Sequence, residues 1–349
     1  MLAVAGRICG LHAQVLSSAE LALWARVEDL ESGDVERALW RDRTLVKTWA
    51  MRGTLHLLPA REMSFWRAAL SASGRYRTDR MWQRLLGITL EEMDRLTDAI
   101  AAALNGRMLT REELMREVGR ISGSDGFAEL ALNGWGTILK PAAFTGRLCF
   151  APSVGQRVRF THPESWLGTP LETGDPDTAT ATVARRFLAA YGPATEQDLA
   201  RWWGGASVAA VRRWIASLDS EVQKVDLDGA SAWMLAQQVR EIRDMPPARS
   251  VRLLPAFDPY VIGASRHADK LLPGDLRARV YRPQGWISAV LLVNGRMEGI
   301  WRHELKGSRV EIALEPFVKQ PAWVRRAANN EAERLAAFFQ AKPAVVWND

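Results

Sequence analysis

The sequence of 349 residues contains only two cysteines, Cys9 and Cys149, too few for a disulfide framework or a cysteine-based metal cluster. Both lie among apolar neighbours, as buried and unreactive thiols usually do. The five histidines show neither i, i+4 pairing nor a His-Glu-x-x-His spacing, so we expect no metal site. No apolar run approaches the ~20 residues that cross a membrane, and the N-terminus lacks the features of a signal peptide.

Negative charge is also in short supply, because 40 Asp and Glu stand against 46 Lys and Arg, for a net charge of +6. Most of the basic residues are arginines, whose planar guanidinium suits phosphate oxygens and guanine edges. A modest basic excess also occurs in proteins that bind no nucleic acid, so composition alone leaves the partner open.

A repeated order of helices and hairpins is the clearest pattern in the chain. Thr89–Arg107 and Thr110–Gly119 read as helices, and each begins with a threonine followed three residues later by a glutamate, the pattern of a capping box. A third helical stretch, 126–144, precedes two strand-like runs, 148–152 and 156–160, around a glycine turn. Helix, helix, helix and hairpin is the order of a winged helix, a common DNA-binding unit.

The same order recurs downstream. Helices are predicted from Asp177 to Gly192, from Thr195 and from Ser207, and a hairpin is predicted to turn at Asp228 and Gly229. A less regular first copy precedes both, with helices from Ser18 and Asp34, a strand pair turning at Arg52-Gly53, and a closing helix from Ala60.

The C-terminal part has a different character. A strong hairpin turns at Asn294-Gly295, a strand follows near 308–317, and an amphipathic helix begins at Ala322. We therefore predict an α+β protein of three tandem winged-helix units with a C-terminal α+β extension packed on them. The predicted units are 1–75, 76–165, 175–245 and 246–349.

Basic residues on the third helix or the wing of each unit would face a DNA groove. The candidate DNA-binding residues are Lys140, Arg147, Arg157, Arg159, Arg212 and Arg213. Arg52, in the predicted first hairpin turn, is a further candidate for holding a phosphate, although turn arginines often contact nothing.

Five stretches of this chain, in the same order, resemble the AlkZ/YcaQ family of winged-helix DNA glycosylases. They are Gly10–Gln14, Lys47–Pro59, Leu132–Ala143, Leu253–Gly263 and Arg282–Glu304. The resemblance implies a C-shaped protein that excises bulky N-alkylated purines, including purines tied into interstrand crosslinks, without a metal or another cofactor.

The family's catalytic signature is a Gln-Φ-Gln or Gln-Φ-Asp tripeptide, where Φ is aliphatic. The matching positions here read His12-Ala13-Gln14, which resembles a His-Φ-Gln variant and bears on substrate range more than on activity. Members of the family carry a helix before this stretch. Since nine residues precede Gly10 here, we expect that helix to be missing from the first unit.

The chemistry is compatible with two polar side chains. An N7-alkylated purine is cationic and leaves as a neutral base, so hydrolysis needs an oriented water more than a general acid. The Gln14 carbonyl could orient that water, and His12 could orient it or act as a base. In an extended segment both would lie on one side, with Ala13 on the other. The alternative is that His12 and Gln14 only satisfy backbone groups before the next helix.

Two other residues have simpler interpretations. His56 lies in an apolar strand, which is typical of a hydrogen-bonded core histidine. Asp258 precedes a proline, a common turn position, so a catalytic carboxylate is the less favoured interpretation there. No lysine neighbours the tripeptide in sequence, so we expect no Schiff-base lyase activity.

The resulting hypothesis is a monofunctional DNA glycosylase that acts on double-stranded DNA with alkylated purines, as a cytoplasmic, nucleoid-associated monomer. One alternative is a winged-helix DNA-binding regulator without chemistry, and a second is a protein whose winged helices serve only protein contacts. Such regulators usually dimerise on palindromic half-sites, whereas three winged helices in one chain can surround DNA as a monomer, which favours the enzyme.

Overall fold

The computed structural model describes residues 1–72, 83–84, 87–123, 136–246, 249–272 and 274–348. Within them one order of elements occurs three times: helix, short strand, helix, helical segment and a two-stranded hairpin. In each copy the short strand pairs with the second strand of the hairpin. This shared topology is the winged-helix arrangement, and it confirms the predicted α+β class with a threefold repeat.

The first copy begins with a helix that the sequence did not lead us to expect. Its elements are α1 (Leu2–Arg7), β1 (Leu11–His12), α2 (Leu16–Trp24), α3 (Asp34–Trp40), β2 (Leu45–Trp49), β3 (Leu55–Pro59) and α4 (Met63–Ala72). The prediction that no helix precedes Gly10 is therefore wrong. α1 has only six residues and no side-chain cap, so it depends on packing: Ala5 and Gly6 are buried.

The second copy shows the predicted capping boxes. Its elements are α5 (Leu90–Leu104), β4 (Leu109–Thr110), α6 (Arg111–Ser122), α7 (Lys140–Phe144), β5 (Cys149–Val154), β6 (Arg157–Thr161) and α8 (Pro163–Leu167). Thr89 caps α5 with Glu92, and Thr110 caps α6 with Glu113. Of the predicted third helix, residues 126–135 lie outside the described part of the chain.

The third copy follows the same plan. Its elements are α9 (Pro176–Tyr191), α10 (Glu196–Trp203), α11 (Val208–Ala216), β7 (Val222–Leu227), β8 (Ala230–Leu235) and α12 (Ala236–Arg243). The short strand is reduced to a single bridge between Ala194 and Trp233. The cap of α9 is Asp175, two residues before the predicted start, because its carboxylate accepts from the Thr178 amide.

The C-terminal unit is built on a five-stranded sheet. Its elements are β9 (Val251–Leu254), α13 (Pro259–Gly263), α14 (Ala268–Leu271), α15 (Arg277–Val280), β10 (Val290–Val293), β11 (Arg296–Lys306), β12 (Arg309–Pro316), α16 (Ala322–Phe338) and β13 (Lys342–Trp347). The strand order is β13-β12-β11-β10-β9, and α16 packs on this sheet. The hairpin at Asn294-Gly295 is confirmed. The last strand, parallel to β12, was not predicted.

The first copy contacts all the other units. Its Trp49 ring lies 4.8 Å from the Phe150 ring of the second copy. Its Glu62 carboxylate pairs with Arg186 of the third copy at 2.6 Å. Towards the C-terminal unit, the Trp24 ring lies 4.3 Å from the Arg334 guanidinium carbon. The boundaries of the four units stay a prediction. Among the described helices, none combines the length and apolar character needed to span a membrane.

Candidate active site

The strand that carries His12 is held close to its neighbour by a glycine. β1 pairs antiparallel with β3, with Leu11 opposite Leu57 and His12 opposite His56. Gly10, just before β1, has φ 83°, and a Cβ there would lie 2.6 Å from the Leu58 side chain. Only glycine therefore suits the first position of the Gly-Leu-His-Ala-Gln stretch.

His12 is nearly enclosed by aromatic rings. His12 is 9% exposed. Its ring stacks on the Phe257 ring, with the ring centres 5.2 Å apart and an interplanar angle of 24°. The His56 ring meets it edge-on at 5.8 Å. Its Nδ1 atom is buried and has no hydrogen-bond partner among the described residues.

The His12 imidazole is neutral at physiological pH. Burial, and then the positive charge of Arg52, lower the pKa of His12 from 6.5 to about 4. A neutral ring can accept a hydrogen bond through one nitrogen, whereas an imidazolium could only donate. His12 is therefore suited to hold a water molecule rather than to carry a positive charge.

His56 has a structural role, as the sequence indicated. It is 2% exposed, its Nδ1–H donates to the Thr54 carbonyl at 3.0 Å, and its Nε2 accepts from Arg52 Nη2 at 3.3 Å. These two partners fix one neutral tautomer, because a carbonyl can only accept and a guanidinium can only donate. Burial and the Arg52 charge place the pKa of His56 well below 6.5.

Arg52 lies inside the protein rather than on an exposed hairpin turn. Its backbone adopts φ 58°, and its Nη1 donates to the Trp202 carbonyl at 2.5 Å. Burial lowers the pKa of Arg52 to about 10. The guanidinium thus links the third copy to His56, and these contacts give it a positioning role next to His12.

Gln14 lies at the exposed end of the tripeptide. Ala13 is fully buried, and its amide donates to the Leu55 carbonyl at 2.7 Å. The side chain of Gln14 is exposed, two residues before α2 begins. The segment therefore passes from the buried His12 to the surface within two residues, and Gln14 is its solvent-exposed member.

Asp258 follows Phe257, the residue whose ring stacks on His12, and does not face solvent. Its carboxylate, which is fully buried, pairs bidentately with Arg26 at 2.7 and 2.8 Å and accepts from the Tyr260 amide at 2.9 Å. The interpretation of Asp258 as a turn residue is confirmed, since it caps α13. The ion pair with Arg26 was not predicted, because 232 residues separate the partners.

Lys47 is close in the sheet but faces the other way. Lys47, Leu57 and Leu11 lie opposite one another on three neighbouring strands, and His12 belongs to the alternate row. Since successive side chains of a strand point to opposite faces, the Lys47 amine faces away from His12. It lies 5.4 Å from the Phe150 ring instead.

The predicted DNA-binding residues fall into two groups. Arg157 on β6 and Arg212 and Arg213 on α11 are exposed, and the Arg212 side chain is 67% exposed. Arg212 also lies 3.9 Å from the Glu196 carboxylate. The other three are less exposed or have stronger protein contacts: Arg147 pairs with Asp98, Arg159 donates to the Pro152 carbonyl, and Lys140 begins α7 half-buried. Their contacts with DNA stay predictions.

Two aromatic residues of the site were missed at the sequence level. Phe257 adopts φ 57°, an unfavourable backbone for a bulky residue, and stacks on His12. Trp286 meets Phe257 edge-on at 4.9 Å and is 47% exposed. Both lie within the stretches that resemble the family, but nothing in their local sequence indicates that they come together.

A cavity of about 340 Å³ opens beside these rings. Its lining includes Ser17 from the first turn of α2, Trp286, and Arg302 and His303 from β11. The described residues hold no group of three or more histidines, cysteines or carboxylates that could bind a metal ion. The buried Cys9 fits its predicted inert role, because burial raises its pKa to about 12.

The chain resembles known proteins over nearly its full length. Residues 5–338 match the family described as DNA glycosylase AlkZ-like. The chain is 36% identical over 338 residues to the interstrand DNA cross-link repair glycosylase of Streptomyces sahachiroi, covering 95% of this chain and 89% of that protein. It also resembles the solved structure of Streptomyces sahachiroi DNA glycosylase AlkZ, with a TM-score of 0.88 and 34% identity, covering 99% of this chain and 92% of that chain.

Proposed function

The chain belongs to the AlkZ-like DNA glycosylase family, and we propose that it is a monofunctional enzyme that hydrolyses the N-glycosidic bond of N-alkylated purines in double-stranded DNA. The observation that carries this proposal is the neutral, nearly enclosed His12 next to the exposed Gln14. Family membership favours this enzyme over a winged-helix regulator without chemistry.

His12 and Gln14 together orient the water that attacks C1′. The neutral His12 ring and the Gln14 carbonyl each accept a hydrogen bond from the water, which aims its oxygen at C1′. As the new C–O bond forms, the bond from C1′ to the purine nitrogen breaks, and its electron pair neutralises the cationic base. The water proton is released to His12 or to solvent. With a pKa of about 4, His12 is a weak base, so orientation is its main contribution.

The absence of a lyase step has structural support. Lys47 is the lysine of the first copy, and its amine faces away from His12. The first copy therefore directs no lysine side chain at His12 to form a Schiff base with the abasic sugar, so we propose that the product is an intact abasic site.

Substrate range can be proposed from the related protein. Since the Streptomyces sahachiroi relative is named for interstrand cross-link repair, we propose that this chain also releases crosslinked or bulky N-alkylated purines. We further propose that it acts as a monomer on the bacterial nucleoid, with its winged helices spaced along one duplex. Sedimentation velocity should then show one chain, free or bound to a short duplex.

The test is base excision from a duplex with a single N7-methylguanine, followed by alkali to cleave abasic sites. We expect cleavage with the wild-type protein and a loss of about 100-fold or more in His12→Ala and Gln14→Ala, the scale of a lost base or orienting group. His162→Ala, which removes a half-buried histidine of the second copy, is the matched control and should retain activity. Equal cleavage by all four proteins would refute the assigned site, and no cleavage by any would refute the activity.

A further inference from the structure

Trp286 is an unusual residue for an exposed loop. It is 47% exposed, although tryptophan is among the largest apolar side chains. The loop that carries it is tightly closed: the Arg282 amide donates to the Trp286 carbonyl at 2.8 Å, and Gln284 adopts φ 60°. The chain therefore uses a strained turn to hold a half-exposed indole in place.

The indole is connected to the candidate site by a continuous set of rings. His12 stacks on Phe257, and Phe257 meets Trp286 edge-on. The turn at Phe257 is anchored by the buried ion pair of Asp258 with Arg26. If a nucleotide places its C1′ at His12 and Gln14, the rings of Phe257 and Trp286 therefore lie next to its base.

The cavity that Trp286 helps to line suits a nucleobase. Its volume of about 340 Å³ lies in the range of small-ligand pockets, and Ser17 places it next to the segment that carries Gln14. Arg282 and Arg302 also line it and are exposed. Two arginines would repel a free cation but attract a phosphate, so the cavity matches a nucleotide with a backbone rather than a cationic base alone.

We propose that Trp286, backed by Phe257, is the stacking surface for an extruded alkylated purine whose lesion is confined to one strand, and so a specificity-determining residue of the reaction. This proposal rests on the proposed function. An indole face attracts cations more strongly than other aromatic faces do, and an N7-alkylated purine carries a positive charge until its bond to C1′ breaks. Trp286 therefore favours charged, alkylated purines over neutral ones.

The experiment compares Trp286→Ala, Trp286→Leu and Trp286→Phe in single-turnover excision of N7-methylguanine from duplex DNA. Loss of one stacked base corresponds to about 5- to 150-fold, so the Ala and Leu variants should slow by that factor, while Phe, which keeps a π face, should stay within about 5-fold of wild type. Trp347→Ala on β13, at the opposite edge of the sheet, is the matched tryptophan control and should excise normally.

A second measurement separates stacking from folding and general DNA binding. Affinity for the same duplex with a tetrahydrofuran abasic analogue should be unchanged in all Trp286 variants, because that site has no base to stack. Excision by Trp286→Leu at the wild-type rate, or an equal loss of affinity for the abasic duplex, would overturn the proposal. If the Ala variant fails to fold, the Leu and Phe pair decides. A wild-type protein that excises nothing would instead refute the proposed function.

Discussion

His12 stands where the other two copies of the winged helix place a capping threonine. In the second copy the short strand ends at Thr110, which caps α6, and in the third Thr195 follows the bridge at Ala194 and caps α10. In the first copy α2 begins after Val15 with no side-chain cap. A helix cap contributes about 0.5–2 kcal/mol to the free energy of unfolding. The first copy lacks this contribution next to His12 and Gln14, the residues to which we assign the chemistry.

The environment of His12 predicts an unusual pH dependence. An ordinary histidine would be protonated as the pH falls through about 6.5, and a water-orienting ring would then lose its acceptor. Because the pKa of His12 is about 4, the neutral form persists well below that. Excision of N7-methylguanine, corrected for spontaneous depurination, should stay level from about pH 8 to pH 5 and fall only towards pH 4.

A rate that halves near pH 6.5 would contradict this prediction. An Arg52 variant is the control, because the charge of Arg52 contributes to the low pKa of His12. In Arg52→Met the pKa of His12 should rise towards its ordinary value. The acid limb of the profile should therefore move to higher pH, a shift that a purely structural role of Arg52 would not produce.

At the scale of helices and strands, the predictions that proved correct depend on neighbouring residues. The capping boxes at Thr89 and Thr110, the helix start at Thr195 and the hairpin at Asn294-Gly295 are encoded within a few positions. The two-residue strands were missed, because β1 and β4 acquire their structure from partners about 45 residues away or more. α1 was missed for the same reason, since its packing rather than its composition makes it helical.

The junction between the third copy and the Arg52 turn can be tested with two glycines. Gly204, at the end of α10, has φ 69°, and a Cβ there would lie 2.8 Å from the Arg52 Cα. Gly229, in the β7–β8 turn, has φ 84° and open space around it. Alanine at either position costs about 1–2 kcal/mol for the left-handed backbone. Gly204→Ala should cost about 1–3 kcal/mol more, because a backbone must move.

Urea denaturation measures both variants. We also expect Gly204→Ala, and not Gly229→Ala, to lower excision, because the displaced backbone belongs to the residue that contacts His56 beside His12. Equal losses of stability in the two variants would show that the junction accommodates the extra methyl group. The close approach of Gly204 to the Arg52 backbone would then not limit stability.

At the scale of the whole molecule, the first copy lies at the centre and the site draws on units distant in sequence. His12 and Gln14 could be proposed because a short tripeptide carries them. The wall of Phe257 and Trp286, and the support from Arg52 through Trp202, could not, because they depend on how the C-terminal unit and the third copy pack on the first. The repeat was visible in sequence, but the packing of its copies was not.

We expect the winged helices on either side of the first copy to hold the duplex, and the salt dependence of binding measures this. Each phosphate neutralised by an arginine contributes about 0.9 to the slope of log affinity against log salt for B-DNA. Arg212 and Arg213 on α11 are exposed, so Arg212→Ala and Arg213→Ala should each reduce the slope by about one between roughly 50 and 200 mM salt, on any duplex sequence.

Arg326→Ala, which removes an exposed arginine on α16, is the control and should leave the slope unchanged. A wild-type affinity that does not change with salt would exclude phosphate contacts by these arginines. An equal slope in all variants would place the duplex on another face of the protein.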